Sequence, residues 1–129
     1  HKLRPEELTF IQSRKTGALL TAAAVIGGRC AGAGPPRIEE LRAYGKNIGL
    51  AFQIRDDILD VIGSEAEMGK TLGKDEKAAK ATYPAVFGLK TARKKLKEAT
   101  AAARNALTDL GNEAEPLRRI AAYICARTT

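Results

Sequence analysis

Three punctuating segments divide this chain and leave long helix-compatible runs between them. They are AGAGPPR (31–37), GSEAEMGKTLGKDEKAAKAT (63–82) and GNEAEP (111–116). Glycine loosens the backbone and proline lacks the amide that a helix interior needs, so clusters of them end helices. The pattern predicts a first helix from Pro5 to Cys30, with Pro5 acceptable in the first turn. Its residues Leu8, Ile11, Leu19, Ala22 and Ile26 recur at helical spacing and form one apolar stripe. A second helix is expected from near Pro36 to Ile62, stopped by Gly63, with Leu41, Ile48, Phe52 and Leu59 on its apolar side. Within the second punctuating segment, KDEKAAKA (74–81) suits a short helical turn. A third helical region covers Tyr83 to Leu110 with a break near Gly88, and its stripe is Val86, Leu89, Leu96, Ala103, Leu107 and Leu110. Leu117 to Arg127 form a last short helix. No strand-like alternation and no internal repeat interrupts this order, and aromatic content is 5%, so the fold class is all-α.

A chain of 129 residues with 44% hydrophobic and 29% charged residues is long and apolar enough for one domain with a real core. The net charge of +7 favours anionic partners: nucleic acid, an acidic membrane surface or phosphorylated small molecules. Cys30 and Cys125 lack metal-ligand spacing, and with a single histidine in the chain a zinc site is not expected. Reduced cysteines in a cytoplasmic protein are the simpler reading. No apolar run reaches the ~18 residues of a membrane span, and no signal peptide is visible. The opening HKLRPEEL reads as the interior of a longer chain.

Against this background FQIRDDILDV (52–61) stands out, because it sets three carboxylates into an otherwise apolar helix. Each helical residue advances about 100°, which places Gln53, Asp56, Asp57 and Asp60 within one arc of roughly 100°. Gly49 falls in the same arc and is expected to leave the approach to it open. Such a cluster repels itself unless a cation relieves it. Mg²⁺ suits carboxylate oxygens, keeps several waters and commonly bridges to phosphates. The plainer reading is a solvated acidic helix face.

Basic residues lie close by in sequence. MGKTLGKDEKAAKATYP (68–84) carries Lys70 and Lys80 with Gly69 and Gly73, which suits an anion that brings Mg²⁺ with it; a solvated charged loop is the alternative. Lys15 falls in the middle of the first helix's apolar stripe, where it either snorkels outward or meets a buried anion. Thr16 adds a hydroxyl donor, and Gly17 leaves room for close approach.

KTGALL (15–20), FQIRDDILD (52–60), GKTLGKDEKAAKATYPAVFGL (69–89) and YICAR (123–127) together resemble the C-terminal half of the trans-isoprenyl diphosphate synthases, with farnesyl and geranylgeranyl diphosphate synthases the most similar members. The resemblance covers nearly the whole chain and keeps the order of the motifs. It implies a helical bundle of the isoprenoid synthase type around a deep cavity, in which an allylic diphosphate ionises with Mg²⁺ and is condensed with isopentenyl diphosphate. It makes Asp56, Asp57 and Asp60 the second aspartate-rich motif, with Asp56 the foremost metal ligand. Gln53 then lies near the allylic substrate, Lys15 and Thr16 at its diphosphate, and Lys70 and Lys80 close over the same group. Lys15, Asp56 and Lys70 become the catalytic set. A homodimer is implied for the complete enzyme.

The family's first aspartate-rich motif and its basic isopentenyl-binding set have no counterpart in these residues, so residues 1–129 are expected to be the C-terminal part of a single synthase domain, inactive alone. Other readings are a non-catalytic subunit that dimerises with an active synthase, and a basic helical nucleic-acid-binding module. Arg93, Lys94, Lys95 and Lys97 are the densest basic run and read as a solvated helix face, which speaks against nucleic acid.

Overall fold

The computed structural model describes the backbone of residues 4–68 and 82–126, with all their side chains except those of residues 5, 6, 8, 9, 11–13, 15 and 64–68. Among the described residues there is no strand, as expected of an all-α chain. The helices are α1 (Pro5–Cys30), α2 (Pro35–Met68), α3 (Tyr83–Phe87), α4 (Leu89–Asn105) and α5 (Glu115–Ala126), with two single-turn 3₁₀ helices, Thr108–Leu110 and Asn112–Ala114, before the last. None of the described helices is long and apolar enough to cross a membrane.

Helix α1 starts where Pro5 predicts. The Arg4 amide donates to Glu7 Oε2 at 2.7 Å, which satisfies one N-terminal donor. At the other end Gly32 adopts φ 74° and the Ala33 amide donates to the Gly28 carbonyl at 2.9 Å, turning the chain into α2. Helix α2 begins at Pro35 and does not stop at Gly63 as expected; it runs on to Met68. Gly63 is exposed, stays helical and has open space around its α-carbon, so it lowers helix propensity without ending the helix. The expected turn at 74–81 lies outside the described residues.

The break near Gly88 is real and has a clear cause. Gly88 takes φ 82°, a region open to glycine but unfavourable for other residues. Its amide donates to the Pro84 carbonyl at 2.8 Å and its carbonyl accepts from Ala92 at 3.0 Å, so one residue closes α3 and opens α4.

The core lies where α2, α4 and α5 meet. Ile54, Ile58, Leu96 and Leu107 are the largest fully buried side chains, each worth about 1.5–3 kcal/mol of burial. Tyr44 bridges α2 to α5 by donating its hydroxyl to the Leu117 carbonyl at 3.0 Å. Arg118 donates to the Leu107 and Gly111 carbonyls, both at 2.7 Å, and so caps the connection between α4 and α5. On the far side of α4, Arg93, Lys94, Lys95 and Lys97 are exposed, with Lys94 and Lys95 at 3.8 and 3.6 Å from Glu98.

The pairing of α1 with α2 departs from the hydrophobic pattern. Leu19 is 71% exposed and Ile26 60% exposed, so this part of the apolar stripe points away from α2. The face turned inward holds Gly17, Thr21, Val25 and Gly28 instead. A Cβ on Gly49 would overlap the α-carbon of Gly17, and one on Gly45 the α-carbon of Thr21. The two antiparallel backbones thus come into direct contact along a line of small residues. Leu59, expected on the apolar side of α2, is also exposed, whereas Ile54 and Ile58 are buried.

Candidate functional site

The carboxylate segment lies midway along α2, and its three aspartates have three different environments. Asp57 is 5% exposed. Its Oδ2 accepts the Tyr83 amide at 2.9 Å, and its Oδ1 accepts from Gln53 Nε2 at 3.1 Å. Because an ionised carboxylate only accepts, Gln53 must turn its NH₂ toward it. Thr82 caps the same α3 terminus by accepting from Ala85 at 3.3 Å. Asp56 is half-buried and pairs with Arg55, whose Nη2 and Nε lie 3.1 and 3.3 Å from Asp56 Oδ1. Asp60, one turn later, is exposed.

Arg55 was not among the residues marked by spacing. It is 8% exposed, and its guanidinium lies 4.6 Å from the centre of the Phe52 ring. Stacking on an aromatic face while reaching a carboxylate is what keeps such a cation buried. Its place immediately before Asp56 was the available signal. Tyr83 was missed as well; it lies 26 residues beyond Asp57, and no local pattern links the two.

The described cavity is on another side of α2. It measures 530 Å³ and lies between α1, α2 and α5, with Leu20, Ala24, Tyr44, Ile48, Phe52 and Ile124 in its wall. Arg55 is the charged residue of the lining, and none of the three aspartates belongs to it. The expectation that the aspartates point into a cavity is therefore not met by this one. Gly49 does not open the approach to the arc either: it is filled by the backbone of α1 at Gly17. Gly17 likewise admits α2, not an anion.

Thr16 is half-buried in α1, and Gln53 half-buried in α2. The side chain of Lys15 and the whole of Lys70 and Lys80 lie outside the described residues. Asp56, Asp60 and Gln53 remain on one arc of one helix. Carboxylate oxygens are suitable donors for Mg²⁺. Among the described residues, though, no three acidic, histidine or cysteine side chains gather closely enough to hold a metal ion by themselves. Asp60 is exposed and Asp56 half-buried beside Arg55, whereas Asp57 is buried and each of its oxygens already accepts one protein donor.

The polyprenyl synthetase family model matches residues 1–117. The chain belongs to that family. Among relatives, it is 46% identical over 121 residues to a dimethylallyltranstransferase of Fischerella ambigua, covering 94% of this chain and 35% of that one. It is 43% identical over 122 residues to a geranylgeranyl diphosphate synthase of Cyanophora paradoxa, covering 95% of this chain and 41% of the relative. The structure of an FPP/GFPP synthase from Zymomonas mobilis superposes with a TM-score of 0.79 at 32% identity, over 96% of this chain and 39% of that one. This polyprenyl synthetase chain thus spans well under half the length of the relatives it matches, and its all-α fold is theirs.

Proposed function

We propose that residues 1–129 are the C-terminal part of one polyprenyl synthetase domain and supply the leaving-group side of a prenyltransferase site. The complete enzyme would condense an allylic diphosphate with isopentenyl diphosphate, as a farnesyl or geranylgeranyl diphosphate synthase does. The observation that carries this reading is the pair Asp56 and Asp60, one turn apart on the accessible side of α2, in a chain of this family. They would hold Mg²⁺, which when bound neutralises charge on the diphosphate oxygens. Lys15, Thr16, Lys70 and Lys80 would bind and orient the same group, with Gln53 beside the allylic chain. As the carbon–oxygen bond breaks, negative charge grows on the diphosphate, so cationic side chains aimed there favour the transition state over the ground state. The allylic cation is then attacked by the double bond of isopentenyl diphosphate, and loss of a proton completes the product.

The exposed stripe of Leu19 and Ile26, together with Ile120 and Tyr123, is where the rest of the domain would pack. A homodimer in the complete enzyme and a reducing, cytoplasmic setting for Cys30 and Cys125, which are not joined in a disulfide, belong to the same proposal. Nucleic acid has no part in it.

Calorimetric titration of the 129-residue chain with dimethylallyl diphosphate tests the reading. Binding is expected with Mg²⁺ and not with EDTA, and Asp56→Asn should weaken it by about tenfold or more. Prenyl transfer from dimethylallyl to isopentenyl diphosphate by this chain alone is expected to be absent. Equal binding with and without Mg²⁺ would remove the basis of the proposal.

A further inference from the structure

Asp57 sits in the middle of the acidic segment, yet its surroundings are those of a structural anchor. It is 5% exposed, and both its oxygens accept hydrogen bonds, one from the main chain of α3 and one from Gln53. The amide it receives is one that a helix start leaves without an intrahelical partner, and Tyr83 itself is 4% exposed, so water is a poor substitute there. The surroundings are equally closed: Thr82 and Pro84 are buried, and the Tyr83 ring lies 5.0 Å from that of Phe87.

A hydrated Mg²⁺ would have to enter this closed environment and share oxygens with these donors to reach Asp57, whereas Asp60 is exposed and Asp56 half-exposed on the same arc. We infer that Asp57 is a positioning residue and not a metal ligand: it ties α2 to the first amide of α3 and orients the Gln53 amide, leaving Asp56 and Asp60 to face the ligand. This rests on the proposed site and changes its membership.

Charge removal separates the two roles. Asparagine at position 57 keeps an oxygen for the Tyr83 amide, and Gln53 can reverse its own amide to accept from the new NH₂. A metal ligand would not survive that change. Two measurements on the 129-residue chain decide: hydrogen exchange at the Tyr83 amide, and Mg²⁺-dependent binding of inorganic pyrophosphate by calorimetry. For Asp57→Asn, Tyr83 protection and pyrophosphate affinity should both stay within about threefold of wild type. Asp57→Ala should cut Tyr83 protection by about tenfold or more, because the amide loses its acceptor. Asp56→Asn should weaken pyrophosphate binding and leave Tyr83 protection unchanged. The inference is overturned if Asp57→Asn weakens pyrophosphate binding as much as Asp56→Asn does while Tyr83 stays protected. Should wild type bind no pyrophosphate with Mg²⁺, the proposed function fails, and exchange at Tyr83 still judges the anchor: unchanged protection in Asp57→Ala refutes it. If Asp57→Ala does not fold, Asp57→Asn decides through both readouts: retained pyrophosphate affinity together with retained Tyr83 protection supports the inference, and loss of either refutes it.

Discussion

Replacing Tyr44 with phenylalanine should make the chain less stable at neutral pH and more stable in strong alkali. The ring is 4% exposed and its hydroxyl donates to the Leu117 carbonyl. Burial pushes its ionisation from 10.0 up to about 12, since a phenolate would have to form out of water. At pH 8 the substitution removes one hydrogen bond, a loss of about 1 kcal/mol. Leu117 lies inside α5, where its carbonyl also has a regular helical partner, so no acceptor is orphaned. The sign of the pH effect follows from the direction of the shift. A group whose folded ionisation is raised contributes its full stability below the unfolded value and loses it as pH climbs through the folded one. Two units correspond to about 2.7 kcal/mol, lost mainly between about pH 10 and 12. The phenylalanine protein lacks that loss, so the two stability curves should cross between about pH 10 and 11. Urea unfolding at intervals from pH 8 to 12 measures this, with every other titrating group common to both proteins and cancelling in the difference. A constant difference across that range would show that Tyr44 ionises alike in both states and that its burial is wrongly assigned.

Gly49→Ala should destabilise by about 1 kcal/mol or more, because overlap with the Gly17 backbone outweighs the gain in helix propensity. Gly63→Ala, in open space on the same helix, should stabilise by about 0.5–1 kcal/mol, and denaturant midpoints read both. Leu96→Ala removes a side chain that is 1% exposed and should cost about 2–5 kcal/mol in the same assay. Leu19→Gln should stay within about 0.5 kcal/mol of wild type for this chain, and a loss several times larger would mean that the stripe is already covered.

Helix boundaries were legible wherever a backbone rule decides them. Pro5 marks the start of α1, AGAGPP its end, and Gly88 the break before α4. Gly63 misled because glycine ends a helix when its positive φ is used, and here it is not. The side of α1 that faces α2 was illegible from hydrophobicity, since the contact is made by Gly17 and Thr21 while Leu19 and Ile26 look outward. In the candidate site, helical spacing brought Gln53, Asp56 and Asp60 onto one arc. It did not distinguish Asp57, because the bond that gives Asp57 its role comes from an amide 26 residues away.

The meeting of Gly17 with Gly49 also limits how this part of the molecule can change. In most helix contacts an enlarged side chain on one partner is answered by a reduced one on the other. Here both partners already carry the smallest residue, so neither has anything left to give up. Repair of a substitution at this crossing must come from elsewhere, through neighbours that let the two helix axes part. Such a move would carry the aspartate arc of α2 away from the N-terminal end of α1, so the crossing and the geometry of the site can vary only together.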